Sequence, residues 1–113
     1  MTRGDVILIR LPSSNGREQS GYRPAIVVQK DMTEEPMLMI VPVTSNLSAS
    51  RFAFSVRIEP SMENGVTLPS VAMVFQMRAI DKNRIMRKIG SLLKSDMTRI
   101  DEEIWRMLEP SYI

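Results

Sequence analysis

The sequence contains neither cysteine nor histidine. Without cysteine there is no disulfide, thiolate nucleophile, iron–sulfur cluster or cysteine zinc site. Without histidine there is no imidazole base, no Ser-His-Asp triad and no histidine metal ligand. Carboxylates alone could hold a divalent ion, but no clustered motif such as an EF-hand loop is present. No cofactor and no metal site is therefore expected. Long apolar runs are missing too. Nothing approaches the roughly 20 residues that span a bilayer, and Met1 to Asp5 lack the apolar segment of a signal peptide. A cytoplasmic protein without a membrane partner is the expectation. Aromatic residues make up only 5%, too few for a broad base-stacking platform.

What is present is an ordinary globular composition. The 113 residues are 43% apolar and 25% charged, enough for a core of their own and wrong for a disordered chain. No repeat and no linker divides them, so residues 1–113 read as a single domain. The formal net charge of +2 is unevenly spread: residues 78–94 carry six basic side chains against Asp81. Residues 95–113 carry five acidic side chains against two basic. The basic stretch is either a phosphate-facing surface or a solvated face, and charge alone leaves both open. Ten methionines read as core filler.

Along the chain, Asp5–Leu11 is an apolar run that Pro12 ends, a first strand. Residues 12–21 form a loop with a turn at Asn15-Gly16. Its length exceeds what a hairpin needs, a mark of functional loops. Arg23–Gln29 is rich in β-branched residues and reads as a second strand, with Pro24 near its start. Met37–Val43 is a third, in which Pro42 argues for an edge position or a bulge. Phe52–Ile58 alternates as a half-buried strand does. Glu59–Gly65 is a turn region, and Ser70–Met77 is a further strand. Arg84–Leu92 fits either a strand or a helical turn. Ser95 is a candidate N-cap, and Met97, Ile100, Ile104, Met107 and Leu108 recur at helical spacing before Pro110. Strands in succession followed by one amphipathic helix predict a mainly β, α+β fold: an antiparallel sheet or small barrel with a C-terminal helix.

Three polar clusters stand at strand ends: Glu18-Gln19 with Arg23, Thr44-Ser45-Asn46, and Gln76 with Arg78. If the second and third strands pair, Arg23 comes close to Thr44. A guanidinium beside a hydroxyl suits a phosphate, since the fork offers paired donors and the hydroxyl adds another. The same residues also fit a solvated strand edge and a turn, and spacing does not decide between them.

Four blocks carry a resemblance. Arg3-Gly4-Asp5-Val6, then Gly16-Arg-Glu18-Gln19-Ser-Gly21-Tyr-Arg23-Pro24-Ala, then Val41-Pro-Val-Thr44-Ser45, then Gln76-Met-Arg78-Ala-Ile-Asp81-Lys82 resemble the MazF/PemK (Kid) toxins of bacterial toxin–antitoxin pairs. Order and spacing fit over nearly the whole chain. The resemblance implies a small SH3-like barrel, a homodimer, and a metal-independent endoribonuclease that cuts single-stranded RNA. It implies Arg23 and Thr44 as the catalytic pair, with Glu18 the one candidate general base nearby. Arg17, Gln19, Ser45, Asn46, Gln76, Arg78, Arg84 and Arg87 are the expected RNA-binding residues, Gln76 and Arg78 on a strand that shapes the RNA groove. The implied partner is a MazE-like antitoxin with an acidic, disordered tail. Two departures narrow the mechanism. Arg17 stands where some members have a histidine, and Phe75 where some have an acid.

The implied chemistry uses the 2′-hydroxyl of the RNA itself as nucleophile. The protein then has to align that hydroxyl and neutralise charge on the phosphorane. Two rival expectations belong to other classes. One is a CcdB-like toxin that binds DNA gyrase without cutting RNA, although the end Glu109-Pro-Ser-Tyr-Ile113 lacks a Trp-Gly-like tail. The other is an inert member that only binds RNA or antitoxin.

Overall fold

A computed structural model describes residues 1–11, 21–31 and 34–110. Arg17, Glu18, Gln19 and the expected turn at Asn15-Gly16 lie outside the described residues. Three strands carry the uninterrupted apolar runs: β1 (Asp5–Leu11), β2 (Gly21–Val27) and β3 (Met37–Thr44). Their runs are continuous because both faces are covered. One face packs Val6, Ile26, Val41 and Val43 against Ile100 of the C-terminal helix. The other buries Ile7, Ile9, Ala25, Val27, Leu38 and Ile40 with Ile80. Apolar side chains on both sides leave no place for the alternation of a half-solvated strand.

The remaining elements are β4 (Ser55–Ile58), β5 (Ser70–Met73), β6 (Arg78–Asp81), β7 (Ile85–Ser91) and α1 (Lys94–Leu108). All pairings are antiparallel, in the order β4-β5-β3-β2-β1-β7, with β6 also on β3. The path β6-β3-β2-β1-β7 starts and ends on either side of the short 3-10 turn Lys82–Arg84. The sheet therefore curls into a barrel-like shell, with α1 laid over its first face. No helix among the described residues is long and apolar enough to cross a membrane.

Several expected boundaries need correction. The strand expected over Phe52–Ile58 begins only at Ser55, because Phe54 takes φ 60°, the left-handed region a strand does not continue through. Ser70–Met77 is not one strand. It stops at Met73, makes a 3-10 turn over Val74–Gln76 and resumes as β6. The basic stretch settles as a strand, β7. Helix α1 starts at Lys94 with Leu93 at its N-cap and no side-chain cap, so Ser95 is already inside it. Leu92 fixes that start, being buried with its N–H on the Gly4 carbonyl.

The Arg3-Gly4-Asp5-Val6 block is a structural hub. Arg3 pairs with Asp101 of α1 and donates to the Val28 carbonyl at 3.0 Å. Gly4 sits at φ 89°. Asp5 is buried and takes the Thr2 backbone N–H at 2.9 Å and Lys88 Nζ at 3.1 Å. Burial pushes its carboxyl up, but the Thr2 N–H and Lys88 outweigh that and hold it below the usual aspartate range.

Candidate active site

Two prolines open the site. The Val28 N–H donates to the Met39 carbonyl, so every second residue back along β2, Ile26 and then Pro24, turns its nitrogen towards β3. Pro24 has no hydrogen to give, and the β2–β3 register ends one step earlier, at Ala25↔Pro42. Pro24 is thus mid-strand, paired with Leu8 of β1, rather than near a strand start. Pro42 turns its nitrogen the other way. There β3 passes from its partner β6, last paired at Ile40, to its partner β5, first paired at Val43. Pro42 therefore lies inside a central strand, tolerated at a gap in the ladder, and not at an edge.

Beyond that point β2 and β3 diverge, and an open cleft of about 740 Å³ fills the wedge. Arg23, held across β1 from Ile9, and Thr44, held across β5 from Val71, stand at its two walls. Both are half-buried. Continued register would have made them direct partners. Ser45, Asn46 and Arg87 line the same cleft. Thr44 Oγ1 accepts the Asn46 N–H at 3.1 Å, which leaves its own O–H to donate. Asn46 Oδ1 accepts from Ser48 N–H at 3.1 Å and Ser48 Oγ at 2.7 Å, which fixes the turn that follows. Arg23 and Arg87 have no ion-pair or hydrogen-bond partner among the described residues, whereas Arg3, Arg57, Arg99 and Arg106 each pair with a carboxylate.

The other expected residues stand elsewhere. Gln76 is exposed on a 3-10 turn and Arg78 is exposed at the start of β6, opposite Ile40; neither lines the cleft. Arg84 lines a separate cavity with Arg10, Asp81 and Asn83. Among the described residues no three carboxylates gather as metal ligands.

Sequence reasoning missed the wall opposite β2. Gly65, Thr67 and Leu68 line the cleft from the segment before β5. That wall is held by Asn64, which is fully buried. Its Oδ1 accepts from the Ser61 N–H at 3.1 Å and the Val66 N–H at 2.9 Å, and its Nδ2 donates to the Glu59 carbonyl at 2.9 Å. The Asn64-Gly65 step signalled a turn but not its place in the site. Tyr22 also lines the cleft, and its position beside Arg23 was the only hint.

The family model for PemK-like, MazF-like toxins of type II toxin–antitoxin systems matches residues 2–108. The chain belongs to this family. It is 31% identical over 106 residues to Endoribonuclease MazF of Staphylococcus saprophyticus, covering 92% of this chain and 88% of the relative. It is 32% identical over 104 residues to Endoribonuclease EndoA of Bacillus subtilis, covering 90% and 89%. The fold is similar to a crystal structure of MazE-MazF from Deinococcus radiodurans, with TM-score 0.79, 21% identity, and 98% and 97% of the two chains covered. The barrel-like sheet with its C-terminal helix is therefore the fold of MazF toxins. In this PemK/MazF chain the cleft between β2 and β3 is bounded by residues of two of the four blocks that carried the resemblance.

Proposed function

We propose that this chain is an endoribonuclease toxin that cuts single-stranded RNA in the β2–β3 cleft by attack of the substrate's own 2′-hydroxyl. The endoribonuclease class rests on family membership and on the relatives above. The observation that carries the site is the half-buried Arg23 guanidinium, without an ion-pair or hydrogen-bond partner among the described residues, across the wedge from the Thr44 hydroxyl. A half-buried cation with no carboxylate partner among the described residues is well placed to take an anion. A phosphodiester supplies that anion.

In the step proposed, the 2′-oxygen bonds to phosphorus and the 5′-oxygen leaves. The products are a 2′,3′-cyclic phosphate and a 5′-hydroxyl. Arg23 neutralises the phosphorane, since its fork matches two oxygens and it stays charged. Thr44 donates its O–H to a non-bridging oxygen. Arginine is a poor base, so Glu18 is the candidate for taking the 2′ proton. The leaving 5′-oxygen takes its proton from Arg23 late in the step, Arg23 being recharged from water. Arg87, Ser45 and Asn46 hold flanking groups in the cleft. Gln76, Arg78 and Arg84 contribute RNA contacts outside it, and Arg17 and Gln19 contribute further RNA contacts.

We further assign the active unit as a cytoplasmic homodimer bound by a cognate MazE-like antitoxin, whose acidic tail meets the arginines that have no partner among the described residues. Sedimentation checks the dimer, and weakening of antitoxin binding by salt checks the charge role.

The test is incubation of the purified protein with a long RNA in EDTA, followed by end-group analysis. Cyclic-phosphate and 5′-hydroxyl ends are expected, with no cutting where deoxyribose replaces the target ribose. Arg23→Ala and Thr44→Ala should each lose roughly 100- to 1,000-fold in rate while folding normally. Wild-type rates in both would refute the site, and cutting at deoxyribose would refute the mechanism. No cleavage at all would return the chain to the inert or gyrase-binding classes.

A further inference from the structure

A second cavity, of about 380 Å³, is lined by Arg10, Asp81, Asn83 and Arg84. The register joins it to the cleft. Arg10 of β1 is the direct partner of Tyr22 of β2, and Tyr22 lines the cleft. Two residues back, Leu8 pairs with Pro24 on one side and Arg87 on the other, and all three line the cleft. Leu8 and Arg10 share one face of β1, about 7 Å apart. The pair Ile9↔Ile85 sets Arg84 beside Arg10 on the opposite flank from Tyr22. The row Tyr22, Arg10, Arg84 thus runs beside the row Pro24, Leu8, Arg87.

The chemistry of that second row is specific. Arg10 and Arg84 have no ion-pair or hydrogen-bond partner among the described residues. Asp81, the carboxylate in the cavity, has its Oδ1 engaged by the Asn83 backbone N–H at 2.8 Å. Tyr22 leaves 54% of its surface exposed, so its ring has a face open to a stacking partner. Two free guanidiniums suit a phosphate. An open ring beside them suits a base. An acidic peptide would use the arginines but has no need of the ring.

We propose that Tyr22, Arg10 and Arg84 form a second RNA subsite, in which a nucleotide flanking the cut stacks on Tyr22 while its phosphate is held between Arg10 and Arg84. The subsite presupposes that the cleft cuts RNA.

The experiment measures binding of an oligoribonucleotide that carries the mapped cut site with deoxyribose at the scissile position, across a salt series. One phosphate contact contributes roughly 0.7 to the slope of log affinity against log salt for a single strand. Arg10→Gln with Arg84→Gln should flatten the slope by about that amount, and Arg10→Lys with Arg84→Lys should restore it. Tyr22→Ala should weaken binding roughly 5- to 150-fold at unchanged slope, the range of a lost base stack, and Tyr22→Phe should bind as the wild type does. An unchanged slope in the double Gln variant, or Tyr22→Ala binding within twofold of wild type, overturns the subsite. So does loss of binding to a synthetic glutamate-rich peptide with RNA binding intact, which would assign the cavity to an acidic protein segment. Cleavage by the wild-type protein, run alongside, separates the cases. If it cuts RNA but the variants bind normally, only the subsite fails; if it cuts nothing, the cleft assignment fails first.

Discussion

Replacing Gly90 by alanine tests how the missed wall of the cleft is seated. A Cβ at Gly90 would lie 2.4 Å from both the Glu63 carbonyl oxygen and the Asn64 carbonyl carbon. Ordinary contact begins near 3.4 Å, so the Ser61–Val66 turn has to retreat by about 1 Å. The atoms in the way are backbone, which no rotamer change can clear. The retreat also stretches the bond from the Ser91 N–H to the Glu63 carbonyl, now 2.7 Å. Overpacking of this kind costs about 1–3 kcal/mol, and the lost hydrogen bond about 1 kcal/mol more. For a chain of this size each kcal/mol moves the melting temperature by roughly 4 °C. The expected drop is therefore roughly 8–16 °C, read by calorimetry or circular dichroism. Gly4→Ala is the comparison. Its Cβ meets nothing within 4 Å, so only the strain of φ 89° is felt, about 1–2 kcal/mol. The Gly90→Ala protein should also cut RNA more slowly at 25 °C, while still folded, because Gly65 and Thr67 move with the turn. A Gly90→Ala melting temperature within 2 °C of wild type would show that this turn is not pressed against β7, and the account of the wall would be wrong.

Asn64→Asp replaces the amide that donates to the Glu59 carbonyl with an oxygen facing it, inside a fully buried site. It should cost at least about 3 kcal/mol near neutral pH, and acidification should return part of that as the carboxyl regains a proton to donate; equal stability at neutral pH would contradict the bonding scheme. Asp5→Asn removes a carboxyl held below its ordinary range, so the stability it contributes is complete above the unfolded-state value and is lost as pH falls through the lower folded value. The variant should be about 1–3 kcal/mol less stable at pH 7, and the gap should narrow below about pH 4; a gap that widens there would reverse the sign assigned to Lys88 and Thr2.

The sequence was legible where burial is symmetric. β1, β2 and β3 are apolar on both faces, and that leaves an unbroken run that needs no knowledge of partners. It was illegible where pairing, not composition, sets the boundary. Ser70–Met77 is apolar almost throughout, yet it divides because β3 takes β5 near Thr44 and β6 near Met37, and the chain must turn at Val74–Gln76 to serve both. Phe54 hides in an alternating pattern, although its positive φ breaks the strand. Pro24 was read as near the start of a strand and Pro42 as an edge position or a bulge. They are marks of ladders that part inside strands, and the wedge they leave is where Arg23 and Thr44 stand. Proximity of that pair followed from adjacency of β2 and β3 alone. Tyr22 and Thr67 carried no comparable signal, since their place depends on register and on a turn anchored through Asn64.

The basic stretch of residues 78–94 shows what the fold adds to a charge count. The fold does not keep those six cations together. Lys88 is taken by Asp5, Lys94 opens α1, and Arg78 stands at the start of β6 away from the cleft. Arg84 and Arg87 instead join Arg10 and Arg23, which lie more than sixty residues earlier, around two adjoining cavities. Like charges gathered on one surface repel one another, and more where they are half-buried. Carboxylates were to hand to relieve this, for Asp96, Asp101 and Glu103 each neutralise an arginine at the helix. None is so placed at the cleft among the described residues. A surface that leaves its cations without ion pairs among the described residues at one end, and pairs them at the other, gives up stability at that end, as the proposed RNA site requires. The relevant quantity is thus not the net +2 but the distribution of ion pairs, which only the register of β1 with β2 and β7 reveals.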